Sequence, residues 1–312
     1  MPTDTSTDTI RIGTRGSPLA LAQAHMVRDG LLGAHPDLSE AQIEIVVIST
    51  KGDRILDRPL AELGGKGLFT EEIEAGLLDG SLHMAVHSMK DMETALPEGL
   101  EIACMLERED VRDAFISPKA ASLADLPAGS LVGTASLRRQ AQVLRARPDL
   151  RVEVFRGNLQ TRLQKLADGV ADATMLAMAG LKRMGLDDKA TQVLEIDEML
   201  PAVSQGAIGI ETRSDDAATR ALLAPLSHAA TFTCVSAERA MLAALDGSCR
   251  TPIAGLAQIE GGVLQLRGEV LRRDGSEAHS IERQGPPADA NSIGSAVGEE
   301  LKRLAGPGFF EE

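Results

Sequence analysis

Between Leu131 and Lys165 the chain carries Arg138, Arg139, Arg145, Arg147, Arg151, Arg156, Arg162 and Lys165 against only Asp149 and Glu153. That surplus of basic charge sits in a protein of net charge −14. Guanidinium groups grip carboxylates or phosphates through two parallel hydrogen bonds, so the implied ligand is a polyanion. Arg138 and Arg139 begin a helical pattern directly after Gly133-Thr-Ala-Ser136, and Arg156 ends a strand pattern just before Gly157-Asn158. Strand ends followed by helix starts are where open α/β sheets bind anions. Arg145, Arg147 and Arg151 fit a solvated helix face equally well.

Other reactive residue types are sparser. Gly64-Gly65-Lys66-Gly67 lacks the full phosphate-loop pattern, and suits a mobile glycine-rich loop carrying one cation. His83 and His87 lie four apart, but LHMAVHS has strand character, so they need not converge and no metal site is expected. Cys104, Cys234 and Cys249 are widely spaced and odd in number, which argues against disulfides and zinc. Taken alone, Lys90-Asp91 is an exposed surface pair of little energetic weight.

The elements that must position these groups alternate. Strands are expected at 10–14, 43–50, 84–88 and 101–106, with helices opening at Ser17-Pro18 and over 70–78. Leu19, Leu21, Ala22, Met26 and Leu31 are expected to form the buried face of the first helix. A second cycle has strands at 115–117, 131–134, 152–155 and 173–178 and helices at 137–146 and 159–167. A strand at 208–212 returns the chain to its first sheet. The last part reads differently: helix 236–245, a Gly-Ser-Cys turn, strands 253–259 and 264–272, and helix 293–304. The fold class is therefore α/β, largely parallel, with a small C-terminal α+β unit and no internal repeat. The expected domains are 10–106 with 207–227, then 107–206, then 228–312, after a disordered tail at 1–9.

Composition narrows the partners. With 312 residues, no Trp, no Tyr and six Phe, the cores are aliphatic and aromatic platforms for single-stranded nucleic acid are missing. The acidic charge disfavours nucleic acid and anionic membranes. No apolar run approaches a bilayer span and the polar, acidic start is no signal peptide, so a cytoplasmic location is expected.

Seven motifs then point one way: IRIGTRGSPLALAQ (10–23), GGKGLF (64–69), AVHSMKD (85–91), EREDVRDAF (107–115), GTASLRRQ (133–140), FRGNLQTRLQKL (155–166) and LAMAGLKRMG (176–185). With GSCRTPIAG (247–255) following, their order and spacing resemble the porphobilinogen deaminase family over nearly the whole chain. The resemblance implies two α/β domains like those of type II periplasmic binding proteins, plus a small C-terminal α+β domain. It also implies a transferase that joins four porphobilinogen molecules head to tail, releasing ammonia each time, to give hydroxymethylbilane for tetrapyrrole and haem synthesis.

The same resemblance assigns roles. Cys249 would hold a dipyrromethane cofactor through a thioether, contacted by Ser88, Lys90, Thr134, Ser136, Arg138, Arg139, Arg156 and Gly157. Arg15, Ser17, Lys66, Arg162, Arg183 and Gln205 would bind substrate, whose acetate and propionate groups explain the basic island. Asp91 would face the pyrrole nitrogen and stabilise the cation left when ammonia departs. Family members of this type are generally monomers. Met92-Glu93 stands where many members have proline, and Ser204 where glycine is frequent; both bear on backbone shape. A non-enzymatic solute-binding protein would need neither Asp91 nor Cys249, and another thiol-dependent transferase would want a histidine base beside its cysteine.

Overall fold

The computed structural model describes residues 9–54, 70–247 and 251–310. Residues 1–8 of the expected tail, Lys66 with its glycine-rich loop, and Cys249 lie outside the described residues. The chain opens with β1 (Ile10–Arg15), α1 (Pro18–Ala34), β2 (Ile43–Ile48), the short α2 (Lys51–Arg54), α3 (Glu71–Leu78), β3 (Met84–Ser88) and β4 (Leu100–Met105). It continues through β5 (Asp113–Ile116), β6 (Leu131–Gly133), α4 (Leu137–Ala146), β7 (Arg151–Glu153), α5 (Leu159–Ala167), β8 (Ala173–Ala177), α6 (Met178–Arg183) and β9 (Gln192–Leu194). β10 (Ile208–Arg213) and α7 (Ala217–Leu223) follow, and then α8 (Ala229–Ala244), β11 (Ile253–Glu260), β12 (Val263–Leu271), β13 (Ala278–Gly285) and α9 (Ala290–Ala305).

These strands make two five-stranded sheets, ordered β2-β1-β3-β10-β4 and β7-β6-β8-β5-β9, and a three-stranded sheet β11-β12-β13. The expected return of the chain to its first sheet is present, but the sheets are mixed rather than largely parallel. In the first, β1 runs parallel to β2 and β3, while β10 is antiparallel to both β3 and β4. The second repeats that plan: β6 is parallel to β7 and β8, and β5 is antiparallel to β8 and β9. The antiparallel strand is in each case the one that has crossed between lobes. The sequence shows no repeat because the two halves share topology and not residues.

Each sheet buries its own aliphatic core. On α1 the buried stripe is Gln23, Ala24, Val27 and Leu31, so only Leu31 of the expected face is fully buried and Met26 is exposed. The helix seats Val27 and Leu31 among Ile12, Met84, Val86 and Ile208, which turns Met26 outward. The C-terminal helix α8 begins at Ala229, seven residues earlier than its pattern suggested, because His228 caps it by accepting from the Thr231 backbone. Strand β13 was not expected; none of its residues is fully buried, and its largely polar sequence gives little apolar alternation. Cys104 on β4 and Cys234 on α8 are buried, and burial pushes both thiols up to about 11.

Two crossings join the lobes, and a single carboxylate from the C-terminal unit ties them together. The Arg108 guanidinium donates to both oxygens of Glu238, at 2.6 and 3.1 Å, and to the Gln205 carbonyl at 2.9 Å. Glu238 also accepts the Ser204 N–H at 2.6 Å and the Ala257 N–H on β11 at 2.7 Å. The crossings touch at Gly206, where φ is +88° and a Cβ would lie 2.4 Å from the Glu109 carbonyl oxygen. Glycine is required there. Ser204 also has positive φ, +64°, and its buried hydroxyl has no partner among the described residues. Ser204→Gly relieves both the left-handed backbone and the unpaired hydroxyl, so it should stabilise the fold by about 1 kcal/mol. A rise in the urea midpoint at constant slope is the expected result; a fall would mean that the hydroxyl has a partner in solution.

Candidate active site

Helix starts furnish one wall of the site. Ser17 caps α1 by accepting the Ala20 N–H at 3.2 Å, and Pro18 occupies the first turn, where its missing N–H costs nothing. Arg15, at the end of β1, and Ser17 line a pocket with Gln23, Ser88, His87, Thr70 and Asp91. Ser88 ends β3, and the next turn carries Lys90 and the exposed Asp91. Gln23 was not anticipated. It is buried and exchanges hydrogen bonds with Ser88, at 2.9 and 3.1 Å, which fixes the strand end beside the Lys90-Asp91 turn. A glutamine interrupting the apolar face of α1 was the available signal.

The facing wall comes from the second lobe. Ser136 caps α4 by accepting the Arg139 N–H at 3.4 Å, and the Ser136 N–H in turn donates to the buried Thr134 hydroxyl at 3.1 Å. Asn158 caps α5 through the Thr161 N–H at 2.9 Å. Gly157, with φ of +132°, presses so closely on Thr161 that a Cβ would meet its side chain at 2.6 Å. Arg162 donates to the Gly157 carbonyl at 2.8 Å, which steadies the turn after Arg156.

Arg138 and Arg139 are buried, not fully free in the cleft. Both pair with the buried Asp113 at 2.7 Å, and they also donate to the carbonyls of Leu200 and Met175. Gln205 is buried beneath them, donating to Asp113 at 3.0 Å and to the Val111 carbonyl at 2.7 Å. The Gln205 side chain thus braces Asp113. Two arginines holding one carboxylate leave a surplus positive charge, and they keep Asp113 ionised well below the usual carboxylate range against the cost of burial. The Arg145, Arg147 and Arg151 alternatives resolve differently. Arg147 is spent on Asp149 and three loop carbonyls, whereas Arg145 and Arg151 are exposed.

The two walls meet electrostatically. Lys90 is pushed down to about 8, first by burial of its ammonium group, with Arg139 and Arg162 adding and Asp91 and Asp113 opposing. Arg162 is lowered to about 10, mainly by burial and by Arg139, while Asp91 opposes the shift. Arg183 is lowered to about 10 by burial; it donates to the Gly206 carbonyl at 2.6 Å, and its Nε has no partner among the described residues. These cations are desolvated without enough local carboxylate to neutralise them. That is what a pyrrole ligand bearing acetate and propionate arms would supply, so the residues present fit a dipyrromethane and its extensions. No cluster of metal-binding side chains occurs among the described residues. His87 sits in β3 as its pattern suggested, bonded to Glu211.

The Lys90 shift has a measurable sign. Below about 8 its ammonium is charged and attracts anions; above it the charge is lost. The Michaelis constant for an anionic substrate should therefore rise several-fold between about pH 7 and about pH 9. Lys90→Arg, charged throughout, should flatten that limb; an unchanged limb would assign the titration elsewhere.

Sequence comparison decides the identity. The family model described as porphobilinogen deaminase, dipyromethane cofactor binding domain, matches residues 10–221, and that of the C-terminal domain matches residues 232–303. The chain belongs to the porphobilinogen deaminase family. The porphobilinogen deaminase of Paracoccus denitrificans is 59% identical over 97% of this chain and 96% of its own length. The chloroplastic porphobilinogen deaminase of Pisum sativum is 56% identical over 96% of this chain and 83% of its own. A periplasmic substrate-binding protein of an ABC transporter from Coxiella burnetii overlaps 74% of this chain and 97% of its own, at 13% identity and a TM-score of 0.44. As a family member the chain is a transferase that condenses four porphobilinogen molecules into hydroxymethylbilane, and dipyrromethane is its cofactor.

Proposed function

We propose that Asp91 is the catalytic carboxylate of this porphobilinogen deaminase, and that Cys249 anchors the dipyrromethane. The observation that carries this reading is the convergence of Lys90 and Asp91 from the first lobe with Arg139 and Arg162 across the cleft. Lys90, Ser88, Thr134, Ser136, Arg138, Arg139, Arg156 and Gly157 surround the cofactor, with the Asp113 pair supplying fixed positive potential at its base. Arg15, Ser17, Arg162 and Arg183 take the carboxylates of incoming pyrroles, with Lys66, outside the described residues, assigned to the same role by the family motif. When bound, the dipyrromethane supplies the pyrrole end from which the chain is extended. Asp91 stabilises positive charge at the pyrrole nitrogen of the substrate as ammonia departs, because a carboxylate facing a forming cation lowers its energy.

This reading divides the chain into domains 10–106 with 207–227, 107–206 and 228–312. It makes the protein a cytoplasmic monomer whose partners are porphobilinogen and its oligomers, not nucleic acid or membrane. No described helix is long and apolar enough to cross a membrane. The test is the intact mass of the denatured protein followed by peptide mapping. Excess mass equal to a dipyrromethane on the Cys249 peptide is expected. Bare mass that persists after incubation with porphobilinogen would overturn the assignment.

A further inference from the structure

The turn that carries Lys90 and Asp91 is pinned on both flanks. Ahead of it, Met89 is buried and packs so tightly on Gly209 of β10 that a Cβ there would lie 2.0 Å from the Met89 sulfur. Behind it, Met92 is buried too, and its N–H returns to the Met89 carbonyl at 3.3 Å. Asp91 is left exposed between these anchors. Its short side chain has only two torsions, so the place of its carboxylate follows the backbone of the turn.

That backbone is gripped from the C-terminal unit. On α8, Phe232, Val235 and Arg239 are spaced three and four residues apart and share one face. Phe232 and Val235 pack with Met89, Met92 and Leu96. Arg239 donates to three consecutive carbonyls, those of Met92, Glu93 and Thr94, at 3.5, 2.5 and 3.3 Å. A planar guanidinium fork can span such a row, whereas a lysine ammonium would meet only part of it. Burial disfavours the charge of Arg239, and Glu211 and Glu93 offset that cost. Glu211 is in turn held by the His87 ring at 3.0 Å. A desolvated guanidinium must spend its donors, and here they are spent on the main chain of another unit.

We propose that Arg239 is a positioning residue for the reaction: its grip on residues 92–94 sets where Asp91 stands in the cleft. The same helix leads in sequence to Cys249, so one element serves both the turn and the cysteine. Arg239 acts through Asp91 and touches no reacting atom. The proposal rests on the assignment of Asp91 as the catalytic carboxylate.

The test is a double-mutant cycle on single-turnover ammonia release by cofactor-loaded enzyme, with loading checked by mass. Arg239→Met should lower kcat about tenfold and leave KM within about twofold, because a displaced carboxylate slows the step without loosening the substrate carboxylates. In the Asp91→Asn background the same change should cost less than about twofold, since there is no carboxylate left to place. A merely structural role would cost as much in both backgrounds, and that result would overturn the proposal, as would an unchanged kcat in the parent. If Arg239→Met does not fold, Arg239→Lys keeps a cation beside Glu211; it should lose about threefold in kcat, and again only where Asp91 is present. Near-normal turnover of Asp91→Asn alone would overturn this proposal together with the reading on which it rests, whereas a slow Asp91→Asn with equal Arg239 costs would overturn this proposal only.

Discussion

Asp91→Asn should fold as stably as the parent, load its cofactor, and turn over porphobilinogen about 10²–10³-fold more slowly. Asp91 is exposed, so its replacement leaves no cavity and no orphaned partner in a core. What disappears is the negative charge opposite Lys90 and Arg162, and asparagine matches the shape without it. Losing one well-placed electrostatic partner of a developing charge raises the barrier by about 3–4 kcal/mol. Single-turnover kinetics with cofactor content measured by mass separates the step from the loading. Near-normal turnover would remove Asp91 from the mechanism.

Glu238→Ala should destabilise the protein by about 3–5 kcal/mol, because it strands the buried Arg108 charge and two backbone N–H groups together. The four bonds to Glu238 run from both crossings and from β11, so the loss falls on all three units at once. A lower urea midpoint with one cooperative transition is expected. Two separated transitions would mean that the C-terminal unit holds together without this carboxylate. Glu238→Gln, which keeps an acceptor but loses the charge, should lie between.

The sequence carried the elements around the site well, since strand ends and helix caps are local signals. Ser136, Asn158 and the arginines after them stand where the pattern put them. It did not reveal that Arg138 and Arg139 share Asp113, which lies in another motif and meets them only when β5 and α4 come together. Glu238 and Arg239 were hidden for the same reason: each acts far along the chain from its own helix, on Arg108 and on the turn after Asp91. Period alone also misjudged α1, because a stripe shifted by one residue has nearly the same apolar content and only the partner sheet selects between them. The parallel reading of the sheets failed where strands exchange between lobes, a long-range choice invisible to local propensity.

The exchange of β10 has a consequence for the order of biosynthesis. The second sheet uses only 113–194, a continuous stretch, whereas the first needs β10 between β3 and β4. As the chain leaves the ribosome, the earlier-made lobe must therefore wait, its central slot unfilled, until residue 213 has emerged. The later-made lobe can close first. The edges of β3 and β4 are exposed during that interval, so it is the amino-terminal half that most needs shelter from wrong pairing while synthesis is under way.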